Sequence, residues 1–398
     1  MYNILDYLKW RGDLSFAQDG LNEVDNLILS TLAYIEFDGI VPFEKKSERM
    51  LLSEIAEQAY SAIDFDAPRG KNQFFLQITR LLTEAAATKR FGSLELSRYI
   101  NRIDLDNSEQ FSAVVFSIND HLHYIAFRGT DDLLVGWKED FQMSFMDEVQ
   151  AQKDAVAYVR HIMKSLKGSI YLGGHSKGGN LAVYTAASIK EAYKRILAVY
   201  NNDGPGFQDK FLESPGYHYM LPKIHTIVPK SSVVGILMEH LEDYVIVNSN
   251  QKGIGGHSSF AWEVIGNHFV YKPGLMKSSM ILNRTLRQWL SKIAVEERAA
   301  FVEELFEIFY ASGLVAVSGI SEDKLSAANN MLKAYKNMKP EAKRMMKRLI
   351  YLFIEEGHKV FFSSLEEDIG SLRIGNKRVI NQQLKGYITL KPPGDRLI

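Results

Sequence analysis

The 398-residue sequence contains no cysteine, and this absence is the first constraint on its function. Without cysteine the chain has no disulfide framework, no thiolate ligand for a metal and no cysteine nucleophile. The absence fits a reducing compartment. The first residues lack a basic segment followed by an apolar run, so no signal peptide is visible. We therefore expect a cytoplasmic protein.

A strong charge imbalance and long apolar runs are also missing. The formal net charge is −1, and hydrophobic residues make up 46% and charged residues 24% of the chain, as in ordinary globular proteins. A nearly neutral chain gives no reason to expect nucleic-acid binding. The longest apolar runs, such as 350–354, are far too short to cross a bilayer.

The apolar periodicity changes along the chain and indicates its organisation. Helical patterns come first, and from about 111 to 270 strand patterns alternate with helical ones. This alternation is typical of a mostly parallel sheet with helices on its faces, and it predicts an α/β fold. The predicted helices lie at 22–34, 47–62, 73–87 and 146–166, and the predicted strands at 111–118, 123–127, 170–172, 197–201, 224–228 and 244–247.

The last third of the chain has a helical pattern alone. It predicts four amphipathic helices and a tail that begins near residue 380. We predict two units: an α/β catalytic domain at 1–274, which includes the N-terminal helices, and a helical region at 275–398 that packs on it. The four helices are predicted at 276–293, 295–311, 322–337 and 340–356.

The strongest chemical signal is Gly174-His-Ser-Lys-Gly178, which matches the pattern G-x-S-x-G between an apolar strand and a helix of small residues. This pattern places a serine hydroxyl on a strained strand-to-helix turn, here called the elbow. Side chains at 174 and 178 would collide with neighbouring segments, which requires glycine. Ser176 is therefore the predicted nucleophile, and the backbone N–H of Lys177 a predicted oxyanion donor. The alternative is a glycine-rich turn with a capping serine.

A serine nucleophile needs a base, and the base needs an acid that orients it. His257 is the candidate base, because it follows the strand at 244–247 and a glycine-rich loop that can carry it over the sheet edge. Asp203 is the favoured acid, because it follows the strand after the elbow helix. Glu239 and Asp243 are the backup acids.

The second oxyanion donor should come from a loop after an earlier strand. Thr130, which follows a predicted strand and Gly129, is the candidate through its backbone N–H, and its hydroxyl could add a hydrogen bond. Trp137 and Asp140 are expected to fix this loop rather than to react. This chemistry requires no metal and no cofactor.

These motifs resemble the class 3 (fungal-type) triacylglycerol lipases. The resemblance rests on Phe127-Arg-Gly-Thr130 with Trp137 and Asp140, on the elbow motif, and on His257 followed by Trp262. A bacterial branch of that superfamily, filed as a domain of unknown function, is more similar still through segments 7–13, 203–207 and 228–235.

The resemblance implies an α/β-hydrolase fold over about residues 20–270. It also implies Ser176 as nucleophile, His257 as base, and Thr130 and Lys177 as oxyanion donors. The C-terminal helices lie outside the resemblance.

The sequence departs from the lipases at two places. Lys177 stands where they have leucine, and its side chain either adds a cation that favours an anionic head group or reflects a change of packing. The lipases take their acid from the loop that here reads Ser231-Ser232. Either Asp203 supplies the acid instead, or the triad is incomplete.

The leading hypothesis is a serine-dependent hydrolase of a lipid or small ester. The same triad could serve a thioesterase or an acyltransferase, and a non-catalytic scaffold with a hydrolase fold is the alternative from another class. A basic run at 333–348 lies on a predicted helix with Met345, Leu349 and Phe353 opposite. It is compatible with contact to an anionic membrane surface, although a solvated helix face is favoured.

Overall fold

The computed structural model describes residues 1–44, 50–66, 72–106, 108–131, 133–312 and 324–387. The helices are α1 (Ile4–Arg11), α2 (Glu23–Leu32), α3 (Leu52–Ser61), α4 (Gln73–Ala86), α5 (Lys89–Gly92), α6 (Leu134–Gln142), α7 (Gln150–Ile162), α8 (Lys177–Ser188), α9 (Asp209–Leu212), α10 (Pro215–Met220), α11 (Lys277–Ser291), α12 (Val295–Ala311), α13 (Lys324–Asn337) and α14 (Pro340–Tyr387). The strands are β1 (Glu95–Asp104), β2 (Glu109–Asn119), β3 (Leu122–Phe127), β4 (Ser169–His175), β5 (Ile196–Asn202), β6 (Ile224–Pro229), β7 (Tyr244–Val247), β8 (Val264–Ile265), β9 (His268–Phe269) and β10 (Tyr271–Lys272).

One eight-stranded sheet forms the centre of the molecule, in the order β1-β2-β3-β4-β5-β6-β7-β10. The strands from β3 to β7 run parallel, and β1, β2 and β10 pair antiparallel at the two edges. Parallel strands need helices on both faces, and β4, which leads to Ser176, lies in the middle of the sheet. This is an α/β-hydrolase fold with a helical C-terminal region, as the sequence predicted.

Two apolar cores lie on opposite faces of the sheet, and β3 shows how its residues divide between them. Tyr124 and Ala126 point into the core under helices α1, α2, α3 and α4, while Ile125 and Phe127 point into the core under α7, α8 and α10. The two-residue period of a strand sends neighbouring side chains to opposite faces. The continuous apolar run of this strand therefore covers both sides of the sheet.

The expectation that no strand precedes residue 111 was wrong. Strand β1 pairs with β2 from Glu95 to Asp104, and its register shifts between Ser97 and Ile100. Arg98 sits at this irregularity with φ 57°. A bulge of this kind breaks the alternation of polar and apolar residues that identifies a strand in sequence. The edge position also tolerates the charged residues that concealed it.

The last helix is longer than predicted. The sequence pattern ends it at 356 and starts a tail near 380, whereas α14 continues to Tyr387. Residues 388–398, which hold the predicted Pro392-Pro393-Gly394 breaker, lie outside the described residues. Within the described ranges, no helix is long and apolar enough to cross a membrane.

The C-terminal helices contact two segments at the carboxyl edge of the sheet. The N–H of Met276, just before α11, donates to the carbonyl of Lys230 after β6 at 2.7 Å. Phe306 of α12 packs edge-on against Phe141 of α6, with ring centroids 5.8 Å apart. The indole of Trp289 joins α11 to α14 through a 2.8 Å bond to the Leu349 carbonyl. The division into two units at residue 274 stays a prediction.

A buried ion pair joins the N-terminal helices. Arg90 donates from Nη2 to Asp25 at 2.5 Å and from Nε at 2.7 Å, and both side chains are fully buried. The hydroxyl of Tyr7 donates to the same carboxylate at 2.9 Å. Arg90 also donates to three backbone carbonyls between residues 14 and 20. The pair therefore holds α1, α2 and α5 together.

We expect Asp25→Asn to lower the free energy of unfolding by about 3–5 kcal/mol, because it leaves the Arg90 charge buried without its counter-ion. Urea denaturation measures this. The control is Arg80→Ala, which breaks an exposed pair with Glu84 on α4 and should change stability by less than about 1 kcal/mol. Equal losses in the two variants would contradict a structural role for the buried pair.

Candidate active site

Ser176 occupies the turn between β4 and α8 in a backbone conformation that L-residues rarely adopt. Its φ is 59° and its ψ is −134°, a strain worth about 1–3 kcal/mol. A Cβ at Gly174 would lie 2.2 Å from the carbonyl carbon of Gly178, and one at Gly178 would lie 2.1 Å from the Phe127 carbonyl oxygen. Both glycines are therefore required by close approach, and together they fix the serine.

Asp203 and His257 meet although 54 residues separate them. Asp203 directly follows β5, is fully buried, and lies 2.7 Å through Oδ2 from Nδ1 of His257. Its other oxygen accepts the hydroxyl of Ser232 at 2.5 Å and the N–H of Gly235 at 3.1 Å. A carboxylate that accepts three hydrogen bonds is held in one orientation, and it orients the imidazole in turn.

The loop after β6 supplies a hydroxyl at the place where the lipases that the sequence resembles have an acid. Ser232 donates to Asp203, so this loop still contacts the carboxylate that binds the histidine. The backup acids do not share this bond. Glu239 pairs with Arg287 of α11 at 2.8 Å, and Asp243 is exposed. Of the three carboxylates considered from sequence, Asp203 is the one that contacts His257.

His175, the variable residue before the serine, also contacts the His257 loop. Its Nε2 donates to the His257 carbonyl at 2.7 Å, so the neutral ring accepts the hydroxyl of Tyr34 at Nδ1 over 3.1 Å. Burial, followed by the neighbouring His257, lowers the pKa of His175 well below its usual value. The sequence analysis missed this role, because the position is unspecified in G-x-S-x-G.

The Thr130 loop lies against the elbow. A Cβ at Gly129 would lie 2.3 Å from the His175 carbonyl oxygen and 3.0 Å from the Ser176 Cβ, so only glycine allows this approach. The hydroxyl of Thr130 donates to Asp140 of α6 at 2.6 Å. Asp140 thus fixes the loop through a direct hydrogen bond.

The Lys177 side chain points into the protein rather than toward the opening of the site. Its Nζ lies 2.7 Å from Glu139 and 2.9 Å from the Gln110 carbonyl, and the Lys177 and Glu139 side chains are fully buried. Glu139 also accepts the backbone N–H of Gln110 at 3.2 Å and of Ala151 at 2.8 Å. This geometry favours the packing alternative over a cation that faces an anionic head group.

Glu139 was also missed from sequence. The one available signal was Lys177 itself, because a lysine at the start of a buried, small-residue helix requires a counter-ion. The pair joins α8, which begins at the elbow, to α6, which carries the bond to Thr130. The buried ion pair therefore links helix α8 and the Thr130 loop, the two segments that lie beside Ser176.

Burial raises the pKa of Asp140 to about 6, while the Lys177 ammonium and the Thr130 hydroxyl act in the opposite direction. Its Oδ1 is buried and has no hydrogen-bond partner among the described residues. A carboxylate oxygen without a partner is costly to ionise, which accounts for the direction of the shift. The described residues hold no cluster of three or more His, Asp or Glu side chains that could bind a metal.

We expect Glu139→Gln to lower the free energy of unfolding by about 3–5 kcal/mol, because it leaves the Lys177 ammonium buried without a counter-ion. Lys177→Leu should also destabilise, and the double variant should lose about 1–3 kcal/mol less than the sum of the two. Urea denaturation of all three measures this coupling. Lys210→Ala, in an exposed pair with Asp147, is the control and should change little. Additive losses would contradict a direct pair.

The Asp140 pKa of about 6 predicts a specific pH dependence of stability. The folded protein holds this proton more tightly than the unfolded chain, so the contribution of Asp140 to stability falls between about pH 4 and pH 6 and is constant above. Asp140→Asn removes the titration, and its amide oxygen still accepts from Thr130. The free energy of unfolding of the variant relative to the wild type should therefore rise by roughly 2 kcal/mol from about pH 4 to about pH 7. A difference that does not vary with pH would contradict the shift.

Solved structures of lipases are weakly similar to this chain. A triacylglycerol lipase whose structure is described as having a serine protease triad as its catalytic centre is 14% identical, with 56% of this chain and 78% of the lipase covered at a TM-score of 0.36. The Rhizomucor miehei lipase in complex with its propeptide is 18% identical, with 40% of this chain and 58% of the lipase covered at a TM-score of 0.30. No curated protein matches the chain.

A family match covers more of the chain. The model of the Mbeg1-like family matches residues 85–307, which is more than half of the sequence. The matched range includes every residue of the candidate site, from Thr130 to His257. The chain therefore belongs to the Mbeg1-like family, a lipase-like family related to the class 3 lipases.

Proposed function

We propose that this protein is a serine hydrolase that cleaves a carboxylic ester in a lipid or a small molecule. The observation that carries the proposal is the 2.7 Å bond between buried Asp203 and His257. The ring of His175, next to Ser176, is hydrogen-bonded to the His257 carbonyl and so holds the His257 loop against the elbow. A strained serine, a buried carboxylate and a histidine, in this order along the chain of an α/β-hydrolase, are the groups that acyl transfer needs. Membership of a lipase-like family supports an ester substrate.

The proposed reaction begins with proton transfer from Ser176 to His257. Asp203 binds Nδ1, which leaves Nε2 as the nitrogen that accepts the proton. The serine oxygen bonds to the ester carbonyl carbon, and the tetrahedral intermediate collapses as the bond to the alcohol oxygen breaks and His257 protonates that oxygen. Water then attacks the acyl-serine by the same route and releases the acid.

Two backbone N–H groups are proposed to stabilise the oxyanion. Lys177 is the first residue of α8, where a backbone N–H has no acceptor within the helix, and the helix dipole adds partial positive charge. Thr130 would supply the second N–H from the loop that packs on the elbow. Removal of one such donor typically costs two to three orders of magnitude in rate.

Ser232 has a supporting role in this proposal. Its hydroxyl occupies one oxygen of Asp203 while His257 occupies the other. The carboxylate is thereby kept from rotating away from the imidazole. An acid from the β5 end, positioned by the β6 loop, supports a complete triad over an incomplete one.

The same residues could catalyse a thioesterase or an acyltransferase reaction, since both reactions proceed through an acyl-serine. A non-catalytic scaffold has less support, because it gives no reason for the bond between Asp203 and His257 or for the strained backbone of Ser176. A panel of oxygen esters and thioesters graded by chain length separates the two hydrolases. Transfer to an added alcohol in place of water identifies the acyltransferase.

We expect a fluorophosphonate probe to label the wild type at Ser176. Ser176→Ala should abolish labelling, and His257→Ala and Asp203→Asn should slow it about 100-fold or more, since each removes part of the activation of the serine. Labelling rates and hydrolysis of a soluble short-chain ester measure these effects. Detergent is included in a parallel series, so that a covered serine is not mistaken for an inactive one.

Two variants test the position of the acid. Ser232→Ala should slow labelling by about 10-fold, because Asp203 keeps its bond to His257 and loses one positioning bond. Ser232→Asp in the Asp203→Asn background should recover part of the lost rate by returning a carboxylate to the β6 loop. A folded wild type that neither labels nor hydrolyses esters, with or without detergent, would overturn the proposal in favour of a scaffold.

A further inference from the structure

Helix α14 exposes a row of large apolar side chains to solvent. Ile350, Tyr351, Ile354, Phe361 and Phe362 are 48%, 70%, 47%, 47% and 62% exposed, respectively. At about 100° per residue these five positions fall within an arc of roughly 120°. Single exposed apolar residues are ordinary, whereas five on one helix face, with the exposed His358 among them, call for a partner.

This row is not the face with which α14 packs on the protein. The packing face carries Met346, Leu349 and Val360, all buried, and Phe353, whose ring meets Trp289 edge-on at 5.5 Å. Glu356 on that side is buried and pairs with Lys292 of α11 at 2.6 Å. The helix is therefore apolar on two sides, and the described part of the chain buries only one of them.

Positive charge lies on the same exposed side, one to two turns before the apolar row. Lys343, Arg344 and Lys347 fall within the same 120° arc by the helical repeat. The segment 333–348 holds seven basic residues and one acidic residue. The acid, Glu341, pairs with Arg344 at 3.0 Å on the surface, and Lys347 is exposed.

We propose that this face of α14, defined by Lys343, Arg344, Lys347 and the five apolar residues, is the site at which the protein docks on an anionic lipid bilayer. A helix that lies in the membrane interface buries aromatic and aliphatic side chains among the acyl chains and holds lysine and arginine at the head groups. The face offers both in one arc, and its positive charge complements anionic lipid. The proposal departs from the solvated helix face that the sequence favoured.

The docking face extends the proposed function, and in its choice of lipid as partner it rests on that function. It places the protein on the surface that would hold a lipid ester. The binding itself does not need the serine chemistry, so Ser176→Ala should bind vesicles as the wild type does. Failure of docking and failure of hydrolysis are therefore separate results.

The experiment is co-sedimentation of the full chain with phosphatidylcholine vesicles, with and without phosphatidylglycerol, at low and high salt. The wild type should bind the anionic vesicles, more weakly at high salt. Lys343→Gln/Arg344→Gln/Lys347→Gln should weaken this binding roughly 100-fold at low salt, and Ile354→Glu/Phe361→Glu by about 10-fold or more at either salt. Lys343 is half-buried and donates to the Lys336 carbonyl at 2.6 Å, whereas the other four positions are exposed. Circular dichroism of each variant checks that its helices are retained.

The matched control is Ile103→Glu/Leu105→Glu, at two apolar residues near the β1–β2 turn that are 46% and 66% exposed. This variant should bind vesicles like the wild type, and every variant except Ser176→Ala should hydrolyse a soluble short-chain ester at the wild-type rate. The proposal is overturned if the wild type does not bind anionic vesicles, or if the α14 variants bind as well as it does. A wild-type dimer that becomes monomeric in Ile354→Glu/Phe361→Glu would assign the face to a second copy instead and would also overturn it.

Discussion

The close approach of three backbone segments around Ser176 is the constraint on which the candidate site depends. Gly174, Gly178 and Gly129 leave no room for a Cβ, so β4, α8 and the Thr130 loop contact one another directly. The serine between them is held in a strained conformation that it would not adopt alone. The strain is supported by a central parallel sheet with an apolar core on each face. The fold thus supplies rigidity at the point where acyl chemistry would need an immobile nucleophile.

The acid shows how one fold can change the source of a side chain without changing its position in space. Parallel strands end at the same edge, so the loops after β5 and β6 lie side by side. Asp203 comes from the first and Ser232 from the second, and their side chains are hydrogen-bonded. Under the proposed function, the departure from the lipase pattern is a change in the strand that supplies the acid, with the loop after β6 retained as a hydrogen-bond donor.

Much of the fold could be predicted because its signals are local. The parallel strands are continuous apolar runs, and the elbow has its own short pattern, so periodicity and spacing locate them. Strand β1 was not predicted because a bulge at Arg98 interrupts its alternation of polar and apolar residues. The contacts of His175, Glu139 and Ser232 were not predicted for a different reason. Each depends on a partner 29 to 82 residues away that becomes a neighbour only when the sheet forms. The exposed row on α14 could not be distinguished from its packing face, because both are apolar and only the fold decides which one is covered.

The buried Lys177–Glu139 pair limits how this sequence can diverge. The position after Ser176 is leucine in the lipases that the chain resembles. A leucine at 177 would leave the buried Glu139 carboxylate without a counter-ion, although it would still accept two backbone N–H groups. A neutral residue at 139 would in turn leave the ammonium alone. Neither position can change first without a less stable intermediate, so the two are expected to vary together across the family. An alignment of relatives should then divide into two groups, one with a basic and an acidic residue at these positions and one with neither.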